Sequence, residues 1–561
     1  MTVETKRSAA VAGDDPRLKK GLGTVSLLFT AIGSIIGSGW LFSSLAAAKI
    51  AGPGAIISWV IGAIMFIFIG LAYSELGTMF PHSGGVARYP HYSFGSFTSY
   101  SMGWVTWLAA AAVAPVEVSA VLTYATSYLP WLENSNTTLT GVGILVAVVL
   151  MAIFVGINYM GVKWFTRVNN VAVWWKLGMI GLVIVMLLIH FNGSHLSSFG
   201  GFLPYGWHGV FSAIPAAAIA FSFFGFRQGI ELSGETDNPK RNVPLTLLGS
   251  VVICGILYIL LQLAFIGTVP ETAFTHGWAG IGAGFVSTTG AAANFAPLAA
   301  IASVLGLVWL AGLLYADAII SPSDTAMIYL KVTTRMSYAM GRNRNAPAAL
   351  SKVNDNGVPW VSLILAWVVG CIFFLPFPSW QSLVGIVTSM TVLSFGSGPI
   401  ALLAMRKQLP HQHRPFSLGV AVWPVAFLAL LATNLIMYWS GWDQVWKMML
   451  AILLGYVLLG VFHLLDKGRA PKLEFRNGYW VLIWFAGITL VSYLGQFSGV
   501  AGQTDAGELN YLDFNAGIIA NIILSLVVMA VAWTCQLPSH RVHEILNETD
   551  NPASIGSIMD D

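Results

Sequence analysis

The chain has 561 residues, of which 56 % are hydrophobic and only 9 % charged, against roughly 25 % charged in a typical soluble domain. No soluble core absorbs that much apolar surface, so the composition excludes a soluble enzyme or binding module and reads as a polytopic membrane protein. A net charge of +3 is too small to suggest nucleic acid as a partner.

In chain order, the N-terminal stretch to about Lys20 is polar and holds no short apolar run ending in a cleavage site, so no removed signal peptide is expected. Apolar runs parted by Pro, Gly and charge then predict fourteen all-α spans. They lie near 22–48, 53–79, 96–129, 139–157, 170–191, 208–231, 243–269, 295–331, 358–376, 381–405, 416–440, 445–465, 478–497 and 514–535. The third and eighth exceed the ~20 residues a crossing needs and have room to tilt or to extend beyond the bilayer. The longest polar stretch is the loop at about 332–357, and the tail after Gln536 is short. Cys254, Cys371 and Cys535 all fall in apolar stretches and are odd in number, so no disulfide framework is implied.

With the N-terminus in the cytoplasm, about 23 of the 27 Lys and Arg residues fall on the inner side, among them Lys19, Lys20, Arg167, Lys240, Arg241, Arg342, Arg344, Arg406, Lys467 and Arg476. Only Lys49 and Lys447 fall outside, and Lys176 and Arg227 lie within spans. The outer loops carry Glu133, Glu271, Asp505, Glu508 and Asp513 instead. The asymmetry follows the positive-inside rule, and an even span count returns the C-terminus to the cytoplasm.

The first span contains Gly33-Ser-Ile-Ile-Gly-Ser-Gly-Trp40 at its middle. Glycine in a membrane helix serves close backbone approach or an opening, and in lipid an opened helix is tolerated only where it lines a cavity or is buried in protein. Gly33 and Gly37 also fit a G-x-x-x-G packing face. Span 6, five helices later, holds a second weak point at Phe221-Ser-Phe-Phe-Gly-Phe-Arg-Gln-Gly229, which favours the site reading. Two broken helices five spans apart are the repeat logic of many secondary transporters. Their N-terminal half-helix ends attract carboxylates and their carbonyl ends attract ammonium groups, and a free α-amino acid carries both. The candidate substrate-binding residues are therefore Ile32, Gly33, Ser34, Gly37, Ser38 and Gly39 in the first break, and Phe221, Ser222, Phe224, Gly225 and Arg227 in the second.

These pieces resemble the amino acid–polyamine–organocation superfamily of permeases. The matching segments are Gly33–Gly39, Tyr73-Ser-Glu-Leu-Gly77 with Pro81-His-Ser-Gly-Gly85, Gly225-Phe226, Gly234-Glu-Thr-Asp-Asn-Pro-Lys-Arg-Asn-Val-Pro244, and Arg335-Met-Ser-Tyr-Ala-Met340 before Asn345-Ala-Pro347. They cover spans 1–10 in order. Asp317-Ala-Ile-Ile-Ser-Pro-Ser323 resembles the branch with bacterial aspartate–proton symporters. The resemblance implies the LeuT-type five-plus-five inverted-repeat fold with alternating access. It divides the chain into a cytoplasmic tail (1–21), a ten-helix core (22–405), four further helices (406–535) and a second cytoplasmic tail (536–561).

The resemblance also implies roles for the few intramembrane charges, each of which costs about 2.5–3.5 kcal/mol at a helix centre. Lys176 in span 5 stands where a lysine replaces a bound sodium ion in proton-coupled relatives; the alternative is a lysine snorkelling to the cytoplasmic surface. Asp317, Ser321, Ser323 and Asp324 lie in span 8, where the superfamily places its ion-site hydroxyls. Asp317 is a candidate partner of Lys176 or proton carrier, against a plain helix-to-helix hydrogen bond near Pro322. Arg227 suits the side-chain carboxylate of an acidic amino acid, unless it pairs with Glu231 one turn on. Glu117 in span 3 pulls the other way, towards an amine. Glu75 reads as structural or gating, and His82 and His91 as loop residues.

The function that follows is proton-coupled amino acid uptake through the cell membrane, an acidic substrate being favoured, with an ion-independent amino acid or amine exchanger as the alternative. No repeated filter motif suggests a channel. No H-E-x-x-H spacing or nucleotide loop suggests a membrane enzyme, and no metal or cofactor is expected.

Overall fold

The computed structural model describes residues 22–81, 85–160, 162–286, 290, 292–342, 346–465, 473–497 and 509–550. The whole N-terminal tail (1–21), His82, Arg344, Lys467, Asp505, Glu508 and the last eleven residues of the C-terminal tail lie outside them. Among the described residues the protein is all-helical and has no β-sheet. Ten helices are long and apolar enough to cross a membrane, and eleven if one bent pair counts as a span. The chain is an integral, multi-pass membrane protein.

The first span is broken where the glycines predict. α1 (Thr24–Ile35) stops at Ile36, whose φ of −84° and ψ of 82° leave helical geometry, and α2 (Gly39–Ala51) restarts after Ser38. Some of the groups at the opening find partners inside the protein, as a low-dielectric surrounding demands. Ile36 N donates to Ile32 O at 2.9 Å, and Tyr258 Oη donates to Ile35 O at 3.2 Å. α3 (Ala55–Met79) follows, then the short α4 (Gly85–Phe94), the long α5 (Ser96–Ala125), α6 (Gly141–Tyr159) and α7 (Val162–Ile189).

The second break opens four residues earlier than the sequence pattern places it. α8 (Gly206–Ala216) ends, Ala218 takes a left-handed φ of 63°, and Phe221–Arg227 winds as a 3₁₀ turn into the single-turn α9 (Gln228–Glu231). The two halves bend by 48°. The helix is interrupted at Ala218, whose left-handed φ a continuing right-handed helix does not admit; the weak Phe-Gly-Phe stretch then tightens rather than opens.

Past it run α10 (Pro239–Thr268), the short α11 (Gly277–Gly280) and α12 (Pro297–Val304), and the 35-residue α13 (Val308–Arg342). The single run expected at 295–331 is thus divided, because Gly306 at φ 76° turns the chain between α12 and α13. α13 also continues eleven residues beyond the expected end, so the polar stretch expected from 332 begins as helix. α14 (Trp360–Phe373), α15 (Trp380–Gln408), α16 (Val422–Trp439), α17 (Trp442–Leu465), α18 (Phe475–Gly478), α19 (Trp480–Leu494) and α20 (Phe514–Cys535) complete the apolar set.

The expected tail after Gln536 contains a last helix, α21 (Ser539–Asp550). Its apolar Val542 and Ile545 are buried, and the chain leading to it is pinned by Leu537 N donating to Ser93 O at 2.9 Å. Gln408 Nε2 closes that junction by donating to both Ser93 O and Leu537 O at 2.9 Å.

Burial separates axis from rim. The apolar windows of α5 and α15 are wholly enclosed by protein, whereas those of α6 and α17 are only 22 % buried. α3 packs on α10, and α5 on both α13 and α15, while α16 packs on α3 and α15. The later helices are therefore continuous with the bundle, and everything positioned at the two breaks is walled by α3, α5, α10, α13 and α15.

Candidate functional site

The two breaks touch each other. A Cβ on Gly225 would collide with the backbone of Ser34 and Ile35, 2.7 Å from Ser34 O, so only glycine lets the second break lie against the first. On the other half of the first span Gly39 lies against the Ser222 hydroxyl, which itself donates to Ala218 O at 2.8 Å. A small cavity sits at this meeting point. It is lined by Ser34, Ile35, Val113, Glu117, Phe221, Phe224, Thr325 and Tyr329. Of the candidate residues, Ser34, Glu117, Phe221 and Phe224 fall on its wall, and the Ser34 hydroxyl is buried without a hydrogen-bond partner among the described residues.

Glu117 reaches the first break from α5. Ser38 N donates to Glu117 Oε2 at 2.7 Å, and its second oxygen is buried without a partner. Gly37 admits it, since a Cβ there would stand 2.6 Å from Glu117 Oε1. Ser38 Oγ accepts from Trp380 Nε1 at 2.9 Å. Trp380 also packs on Phe42, with ring centroids 4.6 Å apart, and both rings line a larger vestibule. The vestibule, about 240 Å³, is lined by Lys49, Thr123, Asn294 and residues 135–137 together with Phe42 and Trp380.

On the far side of the first break, Lys176 is fully buried on α7 rather than turned to a surface. Its ammonium donates to Gly33 O at 2.9 Å, Asp324 Oδ2 at 2.7 Å and Thr325 Oγ1 at 3.1 Å. The geometry is a three-oxygen cradle of one carbonyl, one carboxylate and one hydroxyl, matched to the three donors of an ammonium. Asp317, the other candidate partner, is not in the cradle. It accepts from Trp175 Nε1 at 2.8 Å and from Ser321 Oγ at 2.6 Å. Neighbouring residues of α7 therefore each serve one of the two aspartates of α13.

Two of the sequence candidates on α13 are placed differently from expectation. Ser321 belongs to Asp317, and the half-buried Ser323 is not among the groups around Lys176. The cradle hydroxyl is Thr325, which the sequence reading missed. The signal was present: Asp317, Ser321, Asp324 and Thr325 are spaced i, i+4, i+7, i+8, one helix stripe, which leaves Ser323 off it.

Arg227 is 1 % exposed and sits one layer beyond the cavity, its guanidinium 5.8 Å from the Tyr329 ring centroid. Nη2 lies 3.8 Å from Met336 Sδ and Nε has no partner. Among the described residues no carboxylate comes within 4.0 Å of it, so the Glu231 pair is not formed. Glu75, in contrast, is fully enclosed in a structural cluster: Arg406 Nη2 stands 2.7 Å away, Arg414 Nε 3.4 Å, and Leu418 N donates to it at 2.8 Å. His91 is half-buried on α4, away from the breaks.

Two interrupted helices meeting inside a membrane bundle, with a small cavity between them and a buried lysine behind, define a membrane carrier rather than an enzyme. The model of the amino acid permease family matches residues 22–461, and the chain belongs to that family, within the amino acid–polyamine–organocation superfamily. It is 35 % identical over 522 residues to the glutamate/serine transporter AimA of Bacillus subtilis (strain 168), covering 91 % of this chain and 93 % of that one. It is 33 % identical over 484 residues to the aspartate-proton symporter of the same organism, covering 85 % and 91 %. Similarity to the branched-chain amino acid permease BcaP, also of that organism, is 27 % over 478 residues.

Proposed function

We propose that the protein is a proton-coupled amino acid importer working by alternating access, with an acidic amino acid as its preferred substrate. The observation that carries this is the Lys176 cradle. One ammonium joins the carbonyl of Gly33, in the last turn before the first break, to Asp324 and Thr325 on α13. Losing the proton from that group removes the bond that holds α1 to α13, which is how protonation would bias a two-state rocking of the bundle. The two relatives named for glutamate/serine and aspartate-proton transport support the same reading.

The acidic preference rests on Arg227. A buried guanidinium with no carboxylate within 4.0 Å among the described residues is costly, and the side-chain carboxylate of aspartate or glutamate is the chemistry that would relieve it. In this reading the N- and C-termini are cytoplasmic, residues 22–405 form a five-plus-five repeat, the helices number fourteen, and the Lys49 vestibule opens outward. Burial of the Lys176–Asp324 pair at 2.7 Å favours one other reading, an exchanger in which the lysine stays charged throughout.

Purified protein in liposomes tests these together. An inward proton gradient without sodium should accumulate labelled L-aspartate or L-glutamate. Accumulation of neutral or cationic amino acids only would overturn the acidic preference. Substrate exchange that never responds to the gradient would establish the exchanger.

A further inference from the structure

The α2 helix, 13 residues long, points its N-terminus at the first break, and its Ser38 side chain makes no capping bond to it. That end carries unsatisfied N–H groups and a partial positive charge, the place where a carboxylate is most stable. In a carrier of this construction the substrate's α-carboxylate is drawn to such an end. A carboxylate is already there: Glu117 accepts from Ser38 N at 2.7 Å, is 1 % exposed, and lines the same cavity.

We propose that Glu117 is a built-in stand-in for the substrate's α-carboxylate, occupying Ser38 N–H in the empty carrier and yielding it to the substrate only after taking up a proton. The proposal rests on the amino acid reading above and adds a second protonation site to it. Its basis is a charge count. The ionisable groups facing Glu117 are Lys176 on α7, Asp324 and Tyr329 on α13, and Tyr258 on α10. Lys176 and Asp324 already neutralise each other at 2.7 Å, and Arg227 lies behind the Tyr329 ring. Among the described residues no protein cation is left over for a second carboxylate at the break, the substrate's own ammonium aside, and two carboxylates sharing one donor do not both stay ionised.

The step balances simply. One proton from the bulk solution, carried as hydronium, adds to Oε2 of Glu117, its bond from Ser38 N is released, and the neutral acid has an O–H to donate to the arriving carboxylate. One proton therefore enters with each α-carboxylate and returns to water when the substrate leaves. The second carboxylate oxygen, buried without a partner, marks where the acid can turn.

The test uses labelled L-serine, whose only carboxylate is the α-carboxylate, and equilibrium binding to the purified full-length carrier across the neutral pH range. Wild-type affinity should fall about tenfold per pH unit on the alkaline side, the slope for one linked proton. Glu117→Gln, which cannot ionise, should bind with little pH dependence and at least about tenfold more tightly at alkaline pH. Glu117→Asp, too short to reach Ser38 N, should also bind more tightly there and guards against a folding defect of the first variant. Infrared difference spectra of the substrate-free protein should show an acid carbonyl band at low pH that Glu117→Gln removes. Weaker L-serine binding by Glu117→Gln at every pH would overturn the proposal, since Glu117 would then be holding the substrate ammonium. So would an unchanged pH slope in that variant, or the absence of the band. If the wild type binds none of L-serine, L-aspartate and L-glutamate at any pH, the amino acid reading falls and takes this one with it. Binding with an unaltered slope in the variant removes this one alone.

Discussion

Lys176 and Asp324 form a fully buried ion pair of 2.7 Å between α7 and α13, and the same ammonium holds Gly33 O at 2.9 Å. Removing one member of such a pair leaves the other charge buried and unpaired, at about 3–5 kcal/mol. Lys176→Ala should therefore lower thermal stability in detergent markedly and abolish accumulation driven by a proton gradient. The double variant Lys176→Ala, Asp324→Ala should recover part of the stability but none of the coupling, as read from melting curves and liposome uptake.

Arg227→Ala removes the buried guanidinium beside Tyr329 and Met336. A hydrogen bond to a charged group contributes about 1.5–3 kcal/mol, so affinity for L-aspartate should fall about 10- to 150-fold, with L-serine little changed. Competition binding on the two ligands separates these outcomes. Equal loss for both would mean that Arg227 supports the fold around the cavity and does not read the side chain.

Gly225→Ala places a methyl group into the Ser34–Ile35 backbone, a contact that no side-chain rotation relieves. The two breaks must separate, at about 1–3 kcal/mol, and uptake should drop steeply while the protein still inserts and purifies as a monodisperse species. Full transport by this variant would show that the close approach of the breaks is dispensable.

Glu133 lies in the loop between α5 and α6, buried, donated to by Thr123 Oγ1 at 2.6 Å. Burial pushes its carboxyl up to about 7 from an ordinary 4.5. The neutral form is thus the one the fold favours. Its stabilising contribution is whole below pH 4.5, declines as pH rises through about 7, and is absent above. The melting temperature should drop across that window, and Glu133→Gln should flatten the drop. A wild-type profile with the same slope as the variant would exclude Glu133 as its source.

Much of this organisation was legible beforehand, for a local reason. Crossing lipid charges every residue for its own polarity, so the spans at 53–79 and 514–535 can be read almost to the residue, as α3 and α20 show. The opening at Gly33–Trp40 was equally visible, because glycine and serine at mid-span advertise a backbone that must be approached. The second opening was misplaced by four residues because it turns on the left-handed backbone of Ala218, an alanine that announces nothing in sequence, while the eye falls on Gly225. The motif segments identified the permease family without any coordinates.

The amino acid order alone therefore determined a membrane carrier with two interrupted helices and named every charge in its interior. Only the tertiary structure decided how those charges pair. Asp317 and Asp324 stand seven residues apart on one face of α13, so pattern cannot choose between them; the rotation and height of α7 bring Lys176 to the second and Trp175 to the first. The same holds for Glu117, whose meeting with Ser38 spans 79 residues of chain and depends on α5 packing against the break. Polarity is a property of each residue in lipid, whereas partnership is a property of register between helices, and register exists only once they are packed.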